Sequence, residues 1–260
     1  MKIATYNVWN EEEGVGSRFE QLMNEITTVD ADIIALQEVT TQFYMDATKC
    51  LQMYQYSEYR NYFEENEGLA ILSKYPLENC VFLHEEEAYC HSNALNVQFQ
   101  VENVRFSLTN VHLPWESIKI KEEQIIAIDR FMHEQNECAH YCILLGDFNC
   151  DISSSVHRFL VGDQTLYGND AKPYWLDVAG NFTTLNGMEL QPTLDCIDNP
   201  RWKGKNTIYA PENFDRIYIL DNWNFMSFAD VQIFGTEVSP VTNLCASDHY
   251  GVVANVLFGG

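Results

Sequence analysis

The stretch Cys142-Ile143-Leu144-Leu145-Gly146-Asp147-Phe148-Asn149 sets the reading of the chain. Four apolar residues, bounded at once by Gly, Asp and Asn, read as a short buried strand that stops in a polar turn. The same pattern recurs through the 260 residues. Ile3–Val8 carries Thr5-Tyr6-Asn7, Ile33–Leu36 runs into Gln37-Glu38, and Val104–Val111 ends in Asn110-Val111-His112-Leu113. Phe214-Asp215-Arg216 opens the run Ile217–Leu220, and Ser247-Asp248-His249 precedes Val252–Phe258. Carboxylates, amides and imidazoles at strand ends are suited to a site at one end of a sheet stack.

Two further strands are expected at Leu69–Leu72 and Leu95–Val101. The alternation Val97, Phe99, Val101 and then Val104, Phe106, Leu108 predicts a hairpin turning at Glu102-Asn103. Phe19, Leu22, Met23 and Ile26 recur at helical spacing after Ser17, a candidate N-cap. Ile118, Ile125, Ile126, Ile128 and Met132 predict a helix from about Trp115 to Asn136. Hairpins mixed with helices point to an α/β domain with antiparallel or mixed sheets. No linker divides the sequence, so residues 1–260 are expected to form a single domain.

Composition excludes several classes. Apolar residues are 46% of the chain, enough for a globular core without disulfide or metal staples. No run approaches the roughly 18 apolar residues of a membrane span. The net charge of −23 repels phosphate backbones and argues against stable, avid duplex binding. It does not exclude an enzyme that holds one phosphate with the help of a metal. The runs Glu11-Glu12-Glu13 and Glu85-Glu86-Glu87 are expected on solvated loops. The eight cysteines form no CxxC pair and no zinc-ribbon spacing, and Met1 leads into Lys2-Ile3-Ala4 without an apolar signal region. Together these predict reduced cysteines and a cytoplasmic location, although a chain trimmed of a signal peptide would read the same. Oligomeric state is not legible.

The ordered set Thr5-Tyr6-Asn7, Gln37-Glu38, Asn110-Val111-His112-Leu113, Gly146-Asp147-Phe148-Asn149, Phe214-Asp215-Arg216-Ile217 and Ser247-Asp248-His249 resembles the endonuclease/exonuclease/phosphatase superfamily. Taken singly, each motif has a plain structural reading as a turn, a cap or a strand end. Six in order, each at a strand boundary, are better explained by one active site. The resemblance spans residues 5 to 249. It implies a four-layered α/β/β/α sandwich of two mixed β-sheets flanked by helices, and Mg²⁺-dependent hydrolysis of a phosphoester, with Mn²⁺ as a substitute.

The residue types suit that chemistry. Glu38 and Asp248 are hard oxygen ligands for Mg²⁺, with Asn7 beside them as a neutral third member of the metal set. Asp147 can orient or deprotonate an attacking water, and Asn149 can hydrogen-bond a ligand without adding charge. By the resemblance, Asp215 orients His249, His249 contacts the phosphate or acts as base, and His112 donates to a phosphate oxygen or assists the leaving group. Whether Asp147 or His249 is the base stays open.

The substrate is less legible. His112 fits the deoxyribonuclease, sphingomyelinase, deadenylase and tyrosyl-DNA phosphodiesterase branches. Phe214-Asp215-Arg216 departs from the Trp-Cys-Asp-Arg of inositol 5-phosphatases. The segment from Thr193 to Ile217 looks most like tyrosyl-DNA phosphodiesterases and bacterial relatives, although Leu194 stands where those phosphodiesterases carry tryptophan. Arg201, Trp202, Lys203 and Lys205 form a basic, aromatic stretch that could hold a phosphate and stack a base, worth roughly 1–3 kcal/mol per stacked base. Trp9 and Trp115, near Asn7 and His112, could rim the site but read first as core, and His84, His91, His133, His140 and His157 as surface or loop. The expected activity is a phosphodiesterase acting on a nucleic-acid end or nucleotide-like ester. A sphingomyelinase or phospholipid phosphodiesterase, a phosphatase, and a catalytically dead member serving as a binding module are the alternatives.

Overall fold

Strand β8, Tyr141–Asp147, is buried along its whole length, because both of its faces are covered. Ile143 and Leu145 point into the layer between two sheets, while Cys142 and Leu144 point outward under helices. The structure is a computed structural model that describes residues 1–10, 15–62, 66–83, 94–135, 139–205, 210–221 and 226–258.

In chain order the elements begin with β1 (Lys2–Asn7), α1 (Val15–Val29), β2 (Ile33–Thr40), α2 (Thr41–Cys50), β3 (Tyr56–Asn61) and β4 (Glu67–Ser73). Next come β5 (Glu78–Leu83), β6 (Ala94–Val101), β7 (Val104–His112), α3 (Ile118–Gln135), β8 and α4 (Ser155–Leu160). The chain finishes with β9 (Trp175–Asp177), α5 (Val178–Asn186), β10 (Asp215–Leu220), β11 (Met226–Phe234) and β12 (Gly251–Phe258).

The strands form two six-stranded sheets, ordered β11-β12-β1-β2-β4-β3 and β5-β6-β7-β8-β10-β9. Each sheet is mixed, with one parallel pair at its centre: β1 with β2, and β7 with β8. Ile3, Ile33 and Ile71 of the first sheet face Val97, Phe106, Leu145 and Ile217 of the second. Leu22, Ile26 and Ala47 of α1 and α2 cover the outer face of the first sheet. Ile125, Ile128 and Met132 of α3, with Val156 and Phe159 of α4, cover the second. This is the expected α/β/β/α sandwich.

The expected hairpin forms with Val101 opposite Val104, and Glu102 takes the positive φ of its tight turn. Two helix starts differ from expectation. Helix α1 begins at Val15, so Ser17 lies within it rather than capping it. Helix α3 begins at Ile118, where Ser117 accepts the Ile120 N–H, so Trp115 precedes the helix. Trp115 is 74% exposed and is not a core residue, whereas Trp9 is buried. Of the remaining histidines, His157 is half-buried on α4 with Nδ1 2.8 Å from the Tyr218 hydroxyl, and His133 pairs with Asp129 along α3. Neither is a plain loop residue. The two glutamate runs, His84 and His91 lie outside the described residues. No helix among the described residues is long and apolar enough to cross a membrane.

Candidate active site

The parallel pairs decide where the site lies. Their C-terminal ends carry Asn7, Glu38, His112 and Asp147, and the register sets His112 opposite Asp147. Strand β10 runs antiparallel to β8, so its first residue, Asp215, is also opposite Asp147. Strand β12 runs antiparallel to β1, which delivers Ser247-Asp248-His249 to the same end.

Local backbone aims these side chains. The β2–β4 ladder shifts register between Leu36 and Val39, a bulge that holds Glu38 at φ 56°. Bulges of this kind re-aim a side chain beside active sites. Asn149, at φ 48°, also stands in the left-handed region, which costs a non-glycine residue on the order of 1–2 kcal/mol. Gly146 has φ 142°, and a Cβ there would lie 1.9 Å from the Val111 carbonyl oxygen. Only glycine lets β8 approach β7 this closely before Asp147.

A buried polar layer braces the floor. Gln37 Nε2 donates to Asn110 Oδ1 at 2.6 Å and to Thr5 Oγ1 at 3.0 Å. Asn110 Nδ2 donates to the carbonyls of Leu36 and Ala70. The leading residues of three sequence motifs therefore tie the sheets together beneath the site rather than face it.

Above this layer, Asn7 Nδ2 donates to Glu38 Oε1 and to Asp147 Oδ2, both at 2.9 Å. Its oxygen accepts the Trp9 N–H at 3.0 Å. Asn7 thus holds two carboxylates together and keeps its donors toward them. Glu38 Oε2 accepts the Asn10 N–H, and Asp147 Oδ1 accepts the Asn149 N–H at 2.7 Å. Asn149 turns its amide N–H to the Leu113 carbonyl at 2.8 Å.

Two histidines flank Asp147. His249 Nδ1 is 2.8 Å from Asp215 Oδ2, and its Nε2 is 3.9 Å from Asp147 Oδ2. His112 Nε2 is 3.7 Å from Asp147 Oδ2 and 4.0 Å from Glu38 Oε1. His112 Nδ1 is 2.9 Å from the buried Tyr62 hydroxyl, a partner the sequence reading missed. Thr193 and Ser247 were missed as well. Thr193 Oγ1 accepts the Phe214 and Asp215 N–H groups, and Ser247 Oγ donates to the Asn7 carbonyl at 2.7 Å.

The electrostatics follow from burial and pairing. Burial alone would pull the His249 pKa down, but Asp215, Asp147 and Asp248 outweigh it and hold the imidazole well above its ordinary value. Burial would raise Asp147, yet both histidines and the hydrogen bonds from Asn7 and Asn149 bring it below the ordinary carboxylate range. Asp248 is pushed up to about 6 by burial and by the charges of Glu38 and Asp147, with His249 and Lys205 opposing. Its Oδ1 is buried with no hydrogen-bond partner. An orphaned carboxylate oxygen beside two more carboxylates is a donor set of the hard oxygen type that a divalent cation satisfies. Asp147, Asp215 and His249 also bring one ligand atom each within 4.8 Å of one another; the Asp215–His249 hydrogen bond uses Asp215 Oδ2 and His249 Nδ1, while Asp215 Oδ1 is buried without a hydrogen-bond partner.

The basic stretch divides. Arg201 is buried, with Nε donating to the Cys245 carbonyl at 2.7 Å and its guanidinium 4.6 Å from the Trp9 ring. It packs beneath the site instead of facing solvent. Trp202 donates its indole N–H to the Asp248 carbonyl at 3.1 Å. Lys203 and Lys205 are exposed, and the Lys205 ammonium lies 5.3 Å from the Trp9 ring and 5.0 Å from the Trp202 ring.

Comparison with known proteins places this geometry. Residues 4–249 match the model of the Endonuclease/Exonuclease/phosphatase family. No curated protein matches the chain by sequence. The fold is similar to that of zebrafish (D. rerio) TDP2 complexed with single-strand DNA product, at TM-score 0.78 and 17% identity over 99% of this chain and 98% of that one. It is similar to the Bacteroides thetaiotaomicron mannosyl-6-phosphatase Bt3783, at TM-score 0.76 and 17% identity over 99% and 100%. A functionally unknown conserved protein from Enterococcus faecalis aligns over all of both chains, at TM-score 0.71 and 20% identity.

Proposed function

The chain belongs to the endonuclease/exonuclease/phosphatase family and is a phosphoric ester hydrolase, and we propose that it is a Mg²⁺-dependent phosphodiesterase acting on a nucleic-acid end or nucleotide-like ester. The observation that carries this reading is the cluster in which Asn7 joins Glu38 to Asp147, the Asp215–His249 pair stands beside Asp147, and the unpartnered Asp248 oxygen is buried within reach of the same charges.

Glu38 and Asp248 would hold the divalent cation, with Asn7 orienting Glu38. When bound, the cation polarises a phosphoryl oxygen and stabilises charge on the leaving oxygen. The chain's own groups do the remaining work. Asp147, kept ionised by its neighbours, accepts the proton of the attacking water as the new P–O bond forms. His249, kept protonated by Asp215, donates from Nε2 to a phosphate oxygen. His112, steered by Tyr62, stands on the other side of Asp147 to donate to a phosphate or leaving-group oxygen as the ester P–O bond breaks. Asn149 braces Asp147 through its backbone N–H.

Exposed Lys203 and Lys205, beside Trp202, supply local positive charge on an otherwise acidic chain and would meet the substrate's flanking anion. The fold shared with a TDP2 bound to a DNA product supports a nucleic-acid end, and the equal likeness to a sugar phosphatase keeps a phosphomonoester as the competing substrate. Chromogenic hydrolysis separates the two. With Mg²⁺, the p-nitrophenyl ester of thymidine 5′-monophosphate should be cleaved in preference to p-nitrophenyl phosphate, and D147N should cleave neither. A preference for the monoester would replace this reading with a phosphatase.

A further inference from the structure

Trp115 has 74% of its surface exposed, and its surroundings hold it there. Leu113 donates its N–H to the Asp147 carbonyl at 2.9 Å and accepts the Asn149 side-chain amide at 2.8 Å. Eight residues on, the Lys121 ammonium hydrogen-bonds the Asn149 carbonyl. Residues 114–120 therefore form an arch with both feet tied to Asn149. Pro114 restricts one side of the crest, and Ser117 caps helix α3 on the other by accepting the Ile120 N–H. Trp115 is two positions beyond Leu113, so their Cα atoms are within about 7 Å of each other. Ile118 lies on the same arch and is 52% exposed. An indole left in water on a braced loop, this near Asp147, has forgone burial in a core that had room for Trp175 and Trp9.

We propose that Trp115 is a specificity-determining platform that stacks a planar aromatic ring of the substrate next to the scissile phosphate. The ring is either a nucleobase or a phenolic leaving group, which present the same flat π-face. Stacking is tolerant of ring identity, and a pre-positioned indole loses little freedom on contact. The platform rests on the phosphodiesterase reading for its place in catalysis, but its binding can be measured without turnover.

The test compares native protein with W115A and W115F on three diesters: methyl p-nitrophenyl phosphate, thymidine 5′-methyl phosphate and thymidine 5′-p-nitrophenyl phosphate. W115A should raise KM about tenfold wherever the stacked ring is present, with kcat nearly constant, and W115F should recover most of the loss. A KM effect on both p-nitrophenyl esters but not on the thymidine methyl ester assigns the phenolic ring. An effect on both thymidine esters but not on the methyl p-nitrophenyl ester assigns the base. Equal KM values for native and W115A on all three overturn the platform while leaving the phosphodiesterase reading standing. If no diester is cleaved, that reading falls and fluorescence titration with thymidine 5′-monophosphate and phenyl phosphate still decides. Quenching by either ligand in native protein that is lost in W115A supports the platform, and identical titrations overturn it.

Discussion

Asn7 and Asp147 are 140 residues apart in the chain and 2.9 Å apart in space, joined by an amide-to-carboxylate hydrogen bond between the central strands of the two sheets. The second amide hydrogen of Asn7 goes to Glu38, so one neutral residue holds two carboxylates at a fixed separation. Replacing Asn7 by Ala should release both. Outer partners of this kind are typically worth ten- to a hundredfold in metal affinity. Calorimetry on N7A, at a temperature where circular dichroism shows it folded, should show Mg²⁺ affinity lowered by about that factor. Native affinity in N7A would remove Asn7 from the site.

The Asp248 carboxyl, pushed up to about 6, must lose its proton before it can serve a cation. Mg²⁺ affinity should be constant above pH 7 and fall steeply, approaching tenfold per unit, below pH 6. D248N and E38A should weaken it at every pH. Activity should vanish in chelator and return with Mg²⁺ or Mn²⁺. Affinity that stays flat down to pH 5 would take Asp248 out of the donor set.

Asp215 raises the His249 pKa, and the proposed role of His249 needs the charged form. Activity should therefore be lost as pH rises through the His249 pKa. D215N should move that basic limb to lower pH and reduce kcat by on the order of 10²–10⁴. A pH–rate profile of D215N with the native basic limb would contradict the pairing. Native activity that does not fall at alkaline pH would contradict the role given to protonated His249.

Glu25 lies away from the site, accepts the Tyr6 hydroxyl at 2.9 Å, and is raised by burial from 4.5 to about 7. A carboxyl with a raised folded-state pKa binds its proton more tightly when folded, so its contribution to stability is present at low pH and lost as pH rises through about 7. Asp248 acts with the same sign nearer pH 6 in the cation-free protein. The melting temperature of cation-free protein should rise on acidification from pH 8 to 5.5. E25Q should remove the upper part of that rise, a result thermal denaturation followed by circular dichroism would show.

At Gly146 the backbone itself is at risk. G146A would force a Cβ to 1.9 Å from the Val111 carbonyl at φ 142°, combining overpacking with a strained backbone. The cost should be at least about 2 kcal/mol. A denaturant midpoint for G146A equal to the native one would mean that β7 and β8 separate more readily than the fold suggests.

The eight strands expected from apolar runs all form, and the four that were missed, β3, β5, β9 and β11, are the four sheet edges. The reason is solvent. An interior strand such as Tyr141–Asp147 is buried on every residue and writes a continuous apolar run. Tyr56-Ser57-Glu58-Tyr59-Arg60-Asn61 has no fully buried residue and pairs on one side only, so polar residues cost it little and its pattern fades. Tyr62, the partner of His112, was lost with that edge.

The sequence by itself determined the order of strand-end motifs, and with it the family and the candidate site residues. Strand periodicity and turn chemistry are local, so they survive in one dimension. The tertiary structure alone decided which motif residues face the chemistry. Thr5, Gln37 and Asn110 are drawn into the floor, Arg201 is buried against Trp9, and Trp115 is raised into solvent. Those placements depend on sheet order, register and helix starts that bring distant residues together, and no local pattern encodes a contact between residues more than a hundred positions apart.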